Sequence, residues 1–94
     1  MKQNRIVSRI VRESEGYSYT YELILREGER THDWRLPLYS VRISMTDPDG
    51  RTSQREATDL FASEERATEL FDRLVRNLAT PIDLSYVVED KIRS

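Results

Sequence analysis

His32 is the residue whose type and setting are best suited to chemistry, because it stands beside a carboxylate in the run Thr31-His32-Asp33-Trp34. An imidazole next to an acidic side chain can act as a general base. This pair supports one alternative function, a small enzyme that uses a surface groove near His32. A single histidine in a polar segment is more often simply solvated, so we expect no catalytic residues.

Trp34, in the same segment, is the only tryptophan of the chain. A tryptophan can anchor a partner protein at an interface, or it can fix a loop to the core of its own domain. The sequence leaves both interpretations open. We therefore count Trp34 among the candidate interface residues.

Two acidic patterns resemble metal sites. Asp47-x-Asp49-Gly50 resembles the start of a calcium loop, but Arg51 and Thr52 do not continue the pattern. Proline and glycine at these positions predict a hairpin turn instead. Glu89 and Asp90 are adjacent, and neighbouring residues on a helix point about 100° apart, so they do not converge on one ion. We expect neither a metal site nor a bound cofactor.

Tyr17, Tyr19 and Tyr21 alternate along the chain and would share one face of a strand. Aromatic side chains on a sheet can stack nucleobases. Fifteen basic residues against seventeen acidic ones give a net charge of -2, however, which provides no attraction for phosphate. We interpret the three rings as core residues beneath helices and do not expect nucleic-acid binding.

The length and composition predict one domain over residues 1–94. The chain has no cysteine, which excludes disulfides, thiolate metal ligands and a cysteine nucleophile. No apolar run has the length of a signal peptide or of a membrane span. We expect a cytoplasmic protein that does not bind membranes.

Alternating apolar and polar residues predict strands in the first part of the chain, within residues 1–59. The second predicted strand shows this period most clearly, from Tyr17 to Arg26. A turn at Ser14-Glu15-Gly16 precedes it, since Gly16 can adopt a positive φ angle at no steric cost. The predicted strands cover residues 3–13, 17–26, 39–46 and 51–58.

Two helices are predicted within residues 63–93, each with its own cap. Ser63 caps the first, and Thr80 caps the second, with Asp83 in the capping-box position. The first helix repeats apolar residues with helical period: Ala67, Leu70, Phe71, Leu74, Val75 and Leu78. The sequence therefore predicts an α+β fold, a four-stranded antiparallel sheet followed by two C-terminal helices packed on one face.

The C-terminal third resembles a family of short uncharacterised Firmicutes proteins, a domain of unknown function. Members carry a Pro-x-His-Leu step followed by an Asp-Val-Val-Glu-Asp ending. Pro81, Leu84 and the run Val87-Val88-Glu89-Asp90 match this pattern, whereas Asp83 replaces the histidine and Tyr86 replaces the first aspartate. The resemblance implies the organisation of the chain and no activity.

The first strand is apolar on both faces, with Ile6 and Ile10 on one and Val7 and Val11 on the other. The helices can cover one face only, and surplus apolar surface indicates an interface. A second copy of the sheet is the simplest cover, unless a β-bulge lets the monomer enclose both pairs. We predict a non-catalytic protein-interaction or self-associating module, as a homodimer or with an unidentified protein partner. The candidate interface residues are Ile6, Ile10, Ile24 and Trp34.

Overall fold

The computed structural model describes residues 3–27 and 38–93, which form four strands followed by two helices. The strands make one antiparallel sheet in the order β1-β2-β3-β4, so each strand pairs with its neighbour in the sequence. The predicted α+β fold is confirmed. The elements are β1 (Gln3–Ser14), β2 (Tyr17–Glu27), β3 (Leu38–Thr46), β4 (Thr52–Phe61), α1 (Glu64–Arg76) and α2 (Pro81–Arg93).

Turn chemistry sets the two hairpins whose turns the structure describes. Glu15 and Gly16 have φ angles of 52° and 84°, as the two-residue turn of a tight hairpin requires. In the β3–β4 turn, the carboxylate of Asp47 accepts the backbone N–H groups of Asp49 and Arg51 at 2.9 and 2.8 Å. The hairpin interpretation of this acidic motif is therefore confirmed.

The core lies between the helices and one face of the sheet, which we call the helix face. Cross-strand pairing places Tyr21 beside Ile43 and Leu23 beside Val41 on this face. Tyr19 stacks on Tyr21 with ring centroids 6.4 Å apart. The interpretation of the buried tyrosines as core residues is confirmed. The buried core comprises Tyr19, Tyr21, Leu23, Val41, Ile43, Ala57, Phe61, Ala67, Leu70, Phe71, Leu74, Ala79 and Leu84.

Both predicted helix caps are present. The Ser63 hydroxyl accepts the backbone N–H of Arg66 at 3.3 Å. At the start of α2, the Thr80 N–H donates to the Asp83 carboxylate at 2.9 Å, and the Asp83 N–H donates to the Thr80 hydroxyl at 3.2 Å. This reciprocal pair is a capping box, which satisfies two backbone donors that the helix leaves without partners.

The end of α1 differs from the sequence expectation. The apolar stripe continues to Leu78, but the helix ends at Arg76, and Leu78 has a φ angle of 52°. The N–H of Leu78 bonds to the Val75 carbonyl at 3.2 Å, and the N–H of Ala79 bonds to the Leu74 carbonyl at 3.0 Å. These two bonds define a Schellman ending, with leucine at the left-handed position that glycine usually takes.

The fourth strand also extends beyond its predicted end at Thr58. The β3–β4 register shifts between two pairs, Tyr39 with Phe61 and Val41 with Ala57. Three residues of β4 therefore stand opposite a single residue of β3. This irregularity lets β4 continue to Phe61, whose side chain joins the core.

The first strand contains a β-bulge that corrects the predicted distribution of its side chains. Ile6 pairs with Ile24, whereas Ser8 already pairs with Leu23, so Val7 is an extra residue in β1. The prediction that Ile6 and Ile10 share a face is wrong for this reason. Ile10 pairs with Tyr21 on the helix face, and Ile6 lies with Ile24 on the opposite face.

Candidate interaction surface

Ile6, Val7 and Val11 of β1 are the large apolar residues of the sheet that are exposed among the residues that the structure describes. These side chains are 43%, 40% and 57% exposed. Among the strands that the structure describes, β1 has a neighbour on one side only, because it stands first in the sheet order. An edge strand presents unpaired backbone N–H and C=O groups to other chains. Exposed apolar side chains and unpaired backbone groups therefore occur together on β1.

The three predicted interface residues that the structure describes, Ile6, Ile10 and Ile24, do not form one surface. Ile6 and Ile24 are cross-strand partners, but Ile24 is only 5% exposed. Ile10 is half-buried and packs against the core from the helix face. Trp34 lies outside the described residues, as does His32 of the alternative enzyme site. Of the three described residues, only Ile6 is exposed.

A row of alternating charges crosses the face opposite the helices, in strand order Arg9, Glu22, Arg42 and Glu56. Each member pairs with the next in the sheet register. The Glu22 carboxylate accepts bonds at 2.7 Å from Arg9 Nη2 and from Arg42 Nε. Arg42 Nη1 also lies 3.7 Å from a carboxylate oxygen of Glu56. This charge row links all four strands.

Glu22 is the buried centre of the charge row, with a side chain only 6% exposed. The hydrogen bond from Arg42 lowers the pKa of its carboxyl most; burial opposes this shift and the bond from Arg9 supports it. The result is a carboxylate that stays ionised although it is buried. Hydrogen bonding to the charged form is a sufficient physical reason for such a shift.

Sequence reasoning missed the charge row, although part of the signal was available. A two-residue turn at Glu15 and Gly16 fixes the register of the hairpin, and that register places Arg9 opposite Glu22. The pairing of Glu22 with Arg42 depends on β2 and β3, which no short turn connects. That contact could not be derived from local sequence.

Two of the shallow grooves on the helix side lie where a helix meets β4. One, of about 220 Å³, is lined by Phe61, Arg66, Glu69, Leu70 and Arg73. The other, of about 390 Å³, lies between β4 and α2 and is lined by Arg55, Glu56, Ala57, Thr58, Leu60, Leu84 and Ser85. Within residues 3–27 and 38–93, no group of three or more metal-ligating side chains could hold an ion. The groove between β4 and α2 has the hydroxyl residues Thr58 and Ser85 and the carboxylate of Glu56 in one lining.

A second exposed apolar pair, Ile82 and Tyr86, lies on α2, four residues apart on one helix face. The side chains are 62% and 64% exposed. They are separate in sequence and element from the three exposed apolar residues of β1. The pair provides an internal comparison for experiments on β1.

The described residues define a small α+β domain in which β1 is an edge strand of the sheet. The chain belongs to the family of unknown function DUF6514, whose model matches residues 1–94. No curated protein and no solved structure matches the chain. Among the described residues, no helix is long and apolar enough to cross a membrane. The resemblance to a family without assigned activity is thus confirmed at the level of the family.

Proposed function

We propose that this chain is a non-catalytic protein-interaction module that self-associates through β1. The observation that carries the proposal is that three exposed apolar residues, Ile6, Val7 and Val11, lie on a strand that has a neighbour on one side only among the described strands. An edge strand is a template for pairing with another chain, and exposed apolar side chains on it favour such pairing. Pairing at this edge would satisfy its outward backbone groups and place Val11 beside a strand of the second copy.

The alternative function, an enzyme with a groove near His32, has less support. Its central residue, His32, lies outside the described residues, so none of the described grooves bears on it. Nucleic-acid binding has less support still, because the net charge is -2 and two arginines of the sheet, Arg9 and Arg42, are paired with Glu22 in the charge row. Self-association through β1 has two supporting observations, the exposed apolar side chains of this strand and its position at the edge of the described sheet.

The test is the mass of the protein in solution, measured by light scattering and sedimentation from micromolar to millimolar concentration. We expect the mass to rise from 11.1 kDa toward about twice that value. Val11→Lys places a charge on the edge strand, which natural proteins use to block strand pairing. This variant should remain at 11.1 kDa over the same range.

Ile82→Lys is the matched control, because it replaces an equally exposed apolar residue on α2. We expect it to associate as the wild type does. Dissociation by Ile82→Lys and not by Val11→Lys would move the interface to α2. A wild-type mass that stays at 11.1 kDa at every concentration would contradict self-association.

A further inference from the structure

The free edge of β1 has a regular segment, residues 8–14, with a bulge before it and a tight turn after it. The bulge precedes Ser8, and the turn begins after Ser14. Val11 is the central residue of this segment. Arg12 fixes the segment to the rest of the domain, because its guanidinium donates to the carbonyl of Val75 at the end of α1 at 2.7 Å. This hydrogen bond therefore fixes the position of the edge strand within the monomer.

The tight turn determines which backbone groups of this segment face outward. A two-residue turn hydrogen-bonds the residues that flank it, here Ser14 and Tyr17. Antiparallel ladders alternate between bonded and non-bonded pairs, so Ser14 and Arg12 turn their backbone groups toward β2. Glu13 and Val11 turn theirs away from β2, and so does Arg9. These three residues present the donors and acceptors of the free edge.

The side chains of the same segment are self-complementary when two copies run antiparallel about Val11. In that register Val11 faces Val11 of the second copy, and Arg9 faces Glu13 of the second copy. The remaining pairs match the aliphatic stem of Arg12 with Ile10 and Ser8 with Ser14. Every charged residue of the segment thus meets an opposite charge or an apolar neighbour, and like charges directly opposite, which destabilise a sheet, are avoided.

The charge row supports the same register independently. It alternates in sign from Glu56 through Arg42 and Glu22 to Arg9, and it ends with a positive charge at the edge. Arg9 donates to Glu22 through Nε and Nη2, which leaves Nη1 for another acceptor. Glu13 of a second copy would continue the alternation across the interface.

We infer, resting on the proposed self-association, that two copies pair β1 with β1 antiparallel, with Val11 opposite Val11. Because the described residues of each copy form four strands, these strands make one continuous eight-stranded sheet with the helices of both copies on one side. Three outward residues per copy form about six backbone hydrogen bonds. The interface is of the small class typical of weak, transient contacts, so the dimer forms in a concentration-dependent manner.

Cysteine crosslinking tests this register, because the chain contains no cysteine and each introduced thiol reports on one position. In a hydrogen-bonded pair the two Val11 Cα atoms lie about 5.5 Å apart, within disulfide range. The two copies of residue 7 would lie more than about 20 Å apart along the strands. Under mild oxidation, Val11→Cys should form a disulfide dimer at least about ten times faster than Val7→Cys, which is similarly exposed.

Mixing two different cysteine variants tests the register a second time, and both substitutions are nearly isosteric. Ser8→Cys mixed with Ser14→Cys should yield mainly the mixed disulfide, identified by peptide mapping, because the two positions face each other at about 4.5 Å. A statistical distribution of products, or equal rates for Val11→Cys and Val7→Cys in a wild type that dimerises, would overturn the register alone. A wild type that stays monomeric would overturn both the register and the proposed function.

Discussion

The hydroxyl of Tyr21 connects the centre of the sheet to the link between the helices. It donates to the Ala79 carbonyl at 2.8 Å, and both residues are buried. Burial raises the pKa of Tyr21 to about 12, from a usual value of 10, with a smaller contribution from Tyr19. The neutral phenol is therefore the form that the folded protein holds, and its contribution to stability is lost only as pH rises from 10 toward about 12.

Tyr21→Phe should lower the free energy of unfolding by about 1–3 kcal/mol at neutral pH, because a buried carbonyl loses its donor. Urea denaturation measures this change. Tyr17→Phe is the control, since Tyr17 is half-buried at the rim of the core and we expect its loss to stay below about 0.5 kcal/mol. Equal effects of the two substitutions would contradict the role of the bond to Ala79.

Glu22 makes the stability of the sheet depend on pH in the acidic range. Its pKa is lowered in the folded protein, chiefly by the hydrogen bond from Arg42, relative to a usual value of 4.5. The stabilisation is therefore complete above about pH 5 and is lost as pH falls through the lower, folded value. The free energy of unfolding of the wild type should fall between neutral and acidic pH. Glu22→Gln should lack the part of this fall that comes from the protonation of Glu22.

At neutral pH, Glu22→Gln should lower the free energy of unfolding by about 1–3 kcal/mol, because it weakens charge-assisted bonds from two arginines. The control is Glu69→Gln at an exposed position of α1, with an expected change below about 0.5 kcal/mol. The free energy of unfolding of Glu69→Gln should fall at acidic pH as that of the wild type does. If that of Glu22→Gln falls equally, Glu22 is not the source of the pH dependence.

Different interactions fix the starts and ends of the two helices, and only some of these interactions can be predicted from the local sequence. Ser63 and Thr80 were predicted as caps because their side chains are suited to accept backbone N–H groups near the helix start. The end of α1 could not be predicted, because the left-handed position is held by Leu78 and not by glycine. The side chain of Leu78 packs against the core, which offsets the cost of this conformation, about 1–2 kcal/mol.

Thr80→Ala tests the start of α2. It removes the hydroxyl that accepts the Asp83 N–H, and we expect a loss of about 1 kcal/mol in the free energy of unfolding. Thr80→Ser keeps a hydroxyl in the same place and should stay within about 0.5 kcal/mol of the wild type. Thermal unfolding of the three proteins side by side measures the difference. A melting temperature unchanged by Thr80→Ala would argue that the capping box does not stabilise the helix.

Strand alternation predicted the helix face of β2 and β3 correctly, because the period of two holds wherever the ladder is regular. It failed in β1 at Ile6 and Val7, where the bulge adds one residue and moves every preceding side chain to the other face. Neither glycine nor proline marks this bulge in the sequence. The candidate interface was consequently assigned to Ile6 and Ile10 together, whereas the structure groups Ile6 with Val7 and Val11 as exposed residues.

At the scale of the whole molecule, the two edges of the described sheet, β1 and β4, differ in the elements that pack beside them. α2 packs alongside β4 and lines a groove with it, so that edge has a neighbouring helix. α1 reaches β1 through the Arg12 side chain, which bonds to the last carbonyls of the helix. The exposed large apolar residues of the described sheet and its outward backbone groups at this edge thus lie on the same strand, β1. An interaction module of this design would act by extending its sheet and not by enclosing a ligand.

Hydrogen exchange of backbone amides should report this extension residue by residue. In the monomer the amides of Arg9, Val11 and Glu13 face solvent, whereas those of Ile10 and Arg12 face β2, as the turn geometry requires. At low concentration we expect fast exchange for the first group and slow exchange for the second. At high concentration the first group should become protected as the dimer forms, because each of its amides gains a carbonyl partner.

The Val11→Lys variant is the control for this prediction, and its outward amides should exchange rapidly at both concentrations. NMR measures the exchange rate of each amide separately, so the alternation of fast and slow exchange along β1 is observed directly. Protection that rises equally at all positions of β1 would indicate a general stabilisation by association elsewhere. Protection confined to residues on α2 would show that the domain associates through its helix and leaves the edge of β1 unpaired.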